Sequence, residues 1–173
     1  SRFYNIPEGR VLIDGHDVMK VTLHSLRSQM GIMLQDSFIF SGTVADNIRY
    51  GKLDATDEEV ERVSRILHAD EFISQMRSGY ETEVNERGGG LSQGQKQLIA
   101  FARTLLADPK ILVLDEATSS IDTGTEKLVQ EGIATLLKGR TSFIIAHRLS
   151  TIRSCDQIMY VDGGKIMECG THA

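Results

Sequence analysis

Apolar positions along the 173-residue chain fall into two patterns. Unbroken apolar runs, bounded by turn residues, read as buried strands: Gly31 to Leu34, Ile111 to Leu114 and Ser142 to Ala146. A shorter β-rich run, Val11 to Ile13, is closed by the turn Asp14-Gly15. Spaced apolar positions behind a hydroxyl or acidic residue read as helices instead. Thr22 can cap a short helix through Gln29, and Thr43 can cap the segment Val44 to Tyr50. Thr56 with Glu59, and Ser92 with Gln95, have the spacing of capping boxes. The first opens a helix to about His68. The second opens the longest amphipathic segment, which runs to about Ala107 and stops at Pro109. Asp122 can cap Thr123 to Leu137, and a short helix begins near Ser150. Two last strands, Gln157 to Val161 and Lys165 to Glu168, are joined by Asp162-Gly163-Gly164.

Apolar strands alternating with helices predict an α/β fold, with a mostly parallel sheet covered on both faces. The block from about Phe38 to Ala107 is nearly all helical and breaks that alternation. It reads as an inserted helical subdomain. The expected division is therefore a partial α/β core over 1–37, a helical subdomain over 38–108 and further α/β core over 109–173.

Composition changes this picture little. Hydrophobic residues are 40% and charged residues 25%, ordinary for a soluble globular domain. The net charge of −5 argues against a general binder of nucleic acid. Two cysteines, Cys155 and Cys169, are too few for a disulfide framework. No stretch approaches the roughly 18 consecutive apolar residues of a membrane span, and no signal peptide is recognisable. Ser1 and the closing Thr171-His172-Ala173 read as the ends of a piece taken from a longer protein.

Three apolar runs each lead into polar groups: Leu34 into Gln35, Leu114 into Asp115-Glu116, and Ala146 into His147. Ligands of open α/β sheets bind just beyond the carboxyl ends of the strands, so these groups are candidates for one site. An aspartate ending an apolar strand can hold Mg²⁺, and the following glutamate can orient or deprotonate a water. A carboxylate that only caps the next turn fits the acid pair equally well. Ser92-Gln93-Gly94 at the start of the long helix offers free N–H groups, a helix dipole and a glycine that lets a phosphate close on the backbone. Alone, it is also an ordinary helix cap.

Together the segments are specific. Leu91-Ser92-Gln93-Gly94-Gln95 resembles the signature motif of ABC-type ATPases, followed by a matching helix from Lys96 to Arg103. Asp115 to Asp122 resembles that family's Walker B end running into its D-loop. Ala146 to Thr151 resembles its switch-histidine segment, and Gln35 its Q-loop. The order is the family's order, and the resemblance covers essentially the whole chain. Phe40 to Ile48 and Thr82 to Gly88 resemble the exporter branch, with Asn85 standing where glycine is usual. They speak against a soluble member acting on ribosomes or chromosomes. Glu116, His147 and the complete signature speak against a degenerate, non-hydrolysing domain.

The resemblance implies a P-loop NTPase (RecA-like) core, with part of its N-terminal portion missing from this chain, and ATP with Mg²⁺ as ligands. It implies a head-to-tail pair with a second nucleotide-binding domain, a transmembrane partner domain, and a place at the cytoplasmic face of the membrane. Gln35, Asp115, Glu116 and His147 would serve one nucleotide, with Asp115 and Gln35 at the Mg²⁺ and Glu116 and His147 catalytic. Ser92, Gly94 and Gln95 of the opposite domain would close on its γ-phosphate, and Asp122 would line the contact. The remaining histidines, His16, His24, His68 and His172, lack metal-ligand spacing.

No Gly-x-x-x-x-Gly-Lys-Ser/Thr stretch occurs; Gly51-Lys52 and Gly164-Lys165 lack both the leading glycine and the trailing hydroxyl. That loop supplies the phosphate cradle in the family. The isolated chain is accordingly expected to give no measurable heat of MgATP binding by calorimetry. Micromolar binding would show that the remaining motifs suffice.

Overall fold

The computed structural model describes residues 2–34, 37–115, 123–145, 152–153 and 155–172. Its helix starts follow the local chemistry of the sequence. Helix α1 (Leu23–Ser28) begins where the Thr22 hydroxyl accepts the Ser25 N–H. Helices α2 (Val44–Arg49), α3 (Asp57–Ile66) and α5 (Gln93–Ala107) each begin with a complete capping box, made by Thr43 with Asp46, Thr56 with Glu59 and Ser92 with Gln95. Each box satisfies two backbone donors that have no partner inside the helix, and is worth about 1 kcal/mol. The predicted stop of α5 is also observed. Asp108 turns left-handed at the C-cap and Pro109 follows. Helix α4 (Ala69–Ser74) has no such signal, because it starts from a left-handed His68 without a side-chain cap.

Three parallel strands make the central sheet: β3 (Met30–Met33), β6 (Ile111–Asp115) and β7 (Thr141–Ile145), in the order β3-β6-β7. Register aligns Met33 with Leu114, Leu114 with Ile144 and Asp115 with Ile145, so all three carboxyl ends reach one edge. Helix α6 (Thr123–Leu137) makes the crossover from β6 to β7. Two hairpins stand apart from this sheet. Strands β1 (Leu12–Ile13) and β2 (His16–Asp17) pair across Asp14 and Gly15, both with positive φ as a tight two-residue turn requires. Strands β8 (Ile158–Asp162) and β9 (Lys165–Gly170) form the other.

The core is continuous from sheet to helices. Met33, Leu112 and Leu114 on one face of the sheet join Leu98, Ile99 and Phe101 of α5 and Val129, Ile133 and Leu136 of α6. Val44 and Ile48 of α2, with Val60 and Val63 of α3, extend it. Each fully buried aliphatic contributes roughly 1.5–3 kcal/mol. Among the described residues of this chain nothing covers the opposite sheet face. Ile32, Phe143 and Ile145 are each about half exposed, because α5 and α6 both pack into the core on the face of Leu112 and Leu114.

A small pairing holds the helical region in place. Strand β4 (Gly42–Thr43) pairs antiparallel with β5 (Glu83–Val84), and the Arg87 N–H donates to Ile39 O. The segments around Thr43 and around Glu86, read separately in the sequence, are therefore neighbours. Asn47 is buried beside them, its Nδ2 donating to the Phe40 and Thr43 carbonyls and its Oδ1 accepting the Phe40 N–H.

Just beyond α2, Gly51 meets the backbone of α5. A Cβ at Gly51 would lie 2.0 Å from the Arg103 carbonyl oxygen. Gly51→Ala must push α2 away from α5 and should cost about 3 kcal/mol, read as a lowered urea midpoint at unchanged slope. A loss within 0.5 kcal/mol would mean that this contact yields freely.

Candidate functional site

The described candidate residues lie on two elements. Ser92, Gly94 and Gln95 sit at the start of α5, and Asp115 ends β6. Gln35, Glu116, Asp122 and His147 lie outside the described residues. The parallel register nonetheless brings Met33, Asp115 and Ile145 to the edge from which the chain continues toward three of them. Asp115 is half-buried there. Among the described residues, no hydrogen bond or ion pair joins Asp115 to the start of α5, and no cluster of three or more His, Cys, Asp or Glu side chains comes together.

At the start of α5 the two readings of the signature segment coexist. The Ser92 hydroxyl accepts the Gln95 N–H at 3.2 Å, and Gln95 Oε1 accepts the Ser92 N–H at 3.0 Å. This is the ordinary capping box. It consumes only acceptors of the two side chains. A serine hydroxyl has one hydrogen to donate besides the lone pairs it accepts with, and a glutamine amide has two. The cap thus leaves donors available, and orients the side chains that carry them. The N–H groups of Gln93 and Gly94 belong to the first turn, which has no intrahelical acceptors. Ser92 is exposed, Gln95 half-buried and Gly94 buried. Neutral donors gathered at the positive end of a 15-residue helix suit a phosphate oxygen.

Asp115 supplies complementary chemistry. A carboxylate at the carboxyl end of a central parallel strand is a hard oxygen ligand suited to a divalent cation such as Mg²⁺. The donor set of α5 and the acceptor of β6 therefore fit a metal-bound polyphosphate.

Comparison with known proteins decides the family. The ABC transporter family model matches residues 1–119. The chain belongs to the ABC transporter family. An uncharacterized ABC transporter ATP-binding protein of Bacillus subtilis is 58% identical over 172 residues, covering 99% of this chain and 28% of that protein. A fatty acid ABC transporter ATP-binding/permease protein of Mycobacterium tuberculosis is 52% identical, over 99% of this chain and 27% of that protein. A solved structure of a bacterial Atm1-family ABC exporter with ATP bound superposes with a TM-score of 0.88 at 46% identity, over 99% of this chain and 30% of the other. The chain thus spans less than a third of the length of these relatives. The α/β P-loop NTPase fold read from the sequence is the fold of this ABC family member.

Sequence reasoning met Asn47 and Arg103 only inside longer segments of resemblance and gave neither a role of its own. No short pattern shows what they contact together, because the partners of Arg103 lie 56 to 65 residues away. The signal available was an asparagine on the apolar stripe of α2, which needs polar partners once buried.

The shared use of Ser92 can be separated by substitution. Ser92→Ala should lower the stability of this ABC domain by about 1 kcal/mol, whereas Ser92→Asp, itself a good cap, should stay within about 0.5 kcal/mol of the native chain. If the helix start takes a phosphate, the aspartate variant of the complete protein should be the worse ATPase, since it puts a negative charge beside the donors of Ser92, Gly94 and Gln95. A Ser92→Asp variant with native turnover would remove Ser92 from phosphate binding.

Proposed function

We propose that this chain serves in the ATP-binding and ATP-hydrolysing domain of an ABC exporter, coupling hydrolysis to transport from the cytoplasmic face of a membrane. The observation that carries this reading is the likeness, over 99% of the chain, to an exporter with ATP bound. The availability of donors at Ser92, Gly94 and Gln95 supports it. So does the β4–β5 pairing, which joins the two segments that resemble the exporter branch. Among the described residues no helix is long and apolar enough to cross a membrane. The proposed membrane partner is a transmembrane domain elsewhere in the transporter.

In this reading the domain divides as residues 1–37, 38–108 and 109–173, with the middle part turned toward the membrane partner. Two domains pair head to tail around ATP. Asp115 and Gln35 hold the Mg²⁺, which neutralises charge on the phosphates when bound. Glu116 orients a water and accepts its proton, and His147 touches the γ-phosphate. Ser92, Gly94 and Gln95 of the facing domain donate to the same phosphate, while Asp122 lines the contact between domains. Because the donors come from one copy and the carboxylates from the other, hydrolysis requires closure of the pair.

Glu116→Gln in the complete protein removes the proton acceptor and leaves the binding groups in place. Turnover should fall at least about a hundredfold, in the range expected for loss of a general base, while ATP binding persists. A variant with native turnover would exclude Glu116 from this role. Loss of binding along with turnover would indicate a structural role instead.

A further inference from the structure

Helix α5 carries the signature residues at one end and, three turns later, an arginine with unusual partners. The Arg103 guanidinium donates from Nε to Asn47 O at 2.8 Å, from one terminal nitrogen to Phe38 O at 3.0 Å, and from the other to Asn47 Oδ1 at 3.2 Å. It also lies 5.1 Å from the centroid of the Phe40 ring, which stacks on Tyr50 at 4.4 Å. Asn47 completes the connection through its bonds to Phe40 and Thr43. Arg103 and Asn47 together thus take up the Phe38 carbonyl, both backbone groups of Phe40 and the Thr43 carbonyl. Gly51 closes the other side, against the Arg103 carbonyl.

All three acceptors of the guanidinium are neutral, and among the described residues no carboxylate pairs with it. A half-buried cation without an anion is a costly way to gain stability, and an apolar side chain of similar size would hold α5 to α2 more cheaply. What only arginine provides is a rigid fork that meets several fixed acceptors at once; a lysine ammonium is a single point of charge. Burial also lowers the Arg103 pKa from its ordinary value, a sign that the cation is held away from water. The arrangement favours position over stability.

Phe38 follows Gln35 by three residues. We propose that Arg103 is a positioning residue that ties the chain just after Gln35 to helix α5, so that phosphate contact at Ser92 and the placement of Gln35 change together. This rests on the ATPase reading given above. Arg103 touches neither nucleotide nor metal; it acts through the backbone of residues 38–43.

The test uses the complete protein in nanodiscs, with Arg103→Met and Arg103→Lys beside the native sequence. MgATP kinetics are measured together with hydrogen exchange before and after trapping with MgATP and vanadate. In the native protein, trapping should slow exchange at both 92–96 and 38–43. In both variants it should still slow exchange at 92–96 but no longer at 38–43. The kcat should fall about fivefold or more, with KM changed less than about twofold. Trapping that still protects 38–43 in both variants overturns the proposal. An equal loss of protection at the two segments also overturns it, since Arg103 would then only support the fold. The lysine variant guards against a methionine variant that fails to fold. A native protein that neither hydrolyses MgATP nor protects 92–96 would refute the ATPase reading, which the variants are not needed to show.

Discussion

Phe101 is fully buried at the place where α5 meets α6, and the residue facing it is Gly132. A Cβ on Gly132 would lie 2.8 Å from the Phe101 ring, so the two helices can be this close only with glycine there. On its other sides α5 packs on α2, α3 and the sheet through Leu98, Ile99 and Leu106. Its seating therefore sets the direction in which its first turn points. Since protein interiors are close-packed, a shift of α5 must be matched by every element that touches it. The signature residues are thus mounted on a helix that packs against α2, α3, α4, α6 and the sheet, which preorganises the donors they present.

How much of this was legible in the sequence follows from the range of each interaction. Capping boxes join residues three apart: the two predicted from Thr56 and Ser92 are formed, and the cap predicted at Thr43 is formed as a full box with Asp46. The apolar strands and their crossover helix were legible for the same reason, since periodicity is a local property. The β4–β5 pair joins Gly42 to Val84 and Thr43 to Glu83 through two short strands, too brief for any pattern. Helix α4 begins from a left-handed residue with no capping side chain, so nothing marks its start. The exposed sheet face escaped because Ile32, Val113, Phe143 and Ile145 are apolar whether or not something packs on them. The site was legible as a set of motifs. The candidate residues were already placed at a strand end and a helix start by their patterns; that no described contact joins Asp115 to the start of α5 required the fold.

The capping box at Ser92 shows why a bland and a sharp reading of one motif need not compete. A helix cap spends acceptor atoms, and a phosphate site spends donors. Serine and glutamine carry both, so the same two side chains serve the helix and face outward. An aspartate would cap as well but would bring charge and no hydrogen. In this chain the cap at Ser92 leaves hydroxyl and amide donors unused.

The same reasoning explains why Arg103 stands where an apolar residue would pack. Stability alone would favour the cheaper side chain, because among the described residues the guanidinium has no carboxylate to offset its burial. Two of its acceptors belong to Asn47 of α2, and the third, the Phe38 carbonyl, begins a segment with little regular structure of its own apart from the two-residue strand β4. Beyond the short β4–β5 pairing and the Arg87 N–H on Ile39 O, such a segment has no long ladder or helix to define its path, so its remaining polar groups must be satisfied from outside. Arg103 and Asn47 supply that path from two helices at once. Residues 38–43 are accordingly carried by α2 and α5 together, and any displacement of α5 by its N-terminal contacts is delivered first to the stretch of chain that leads back to Gln35.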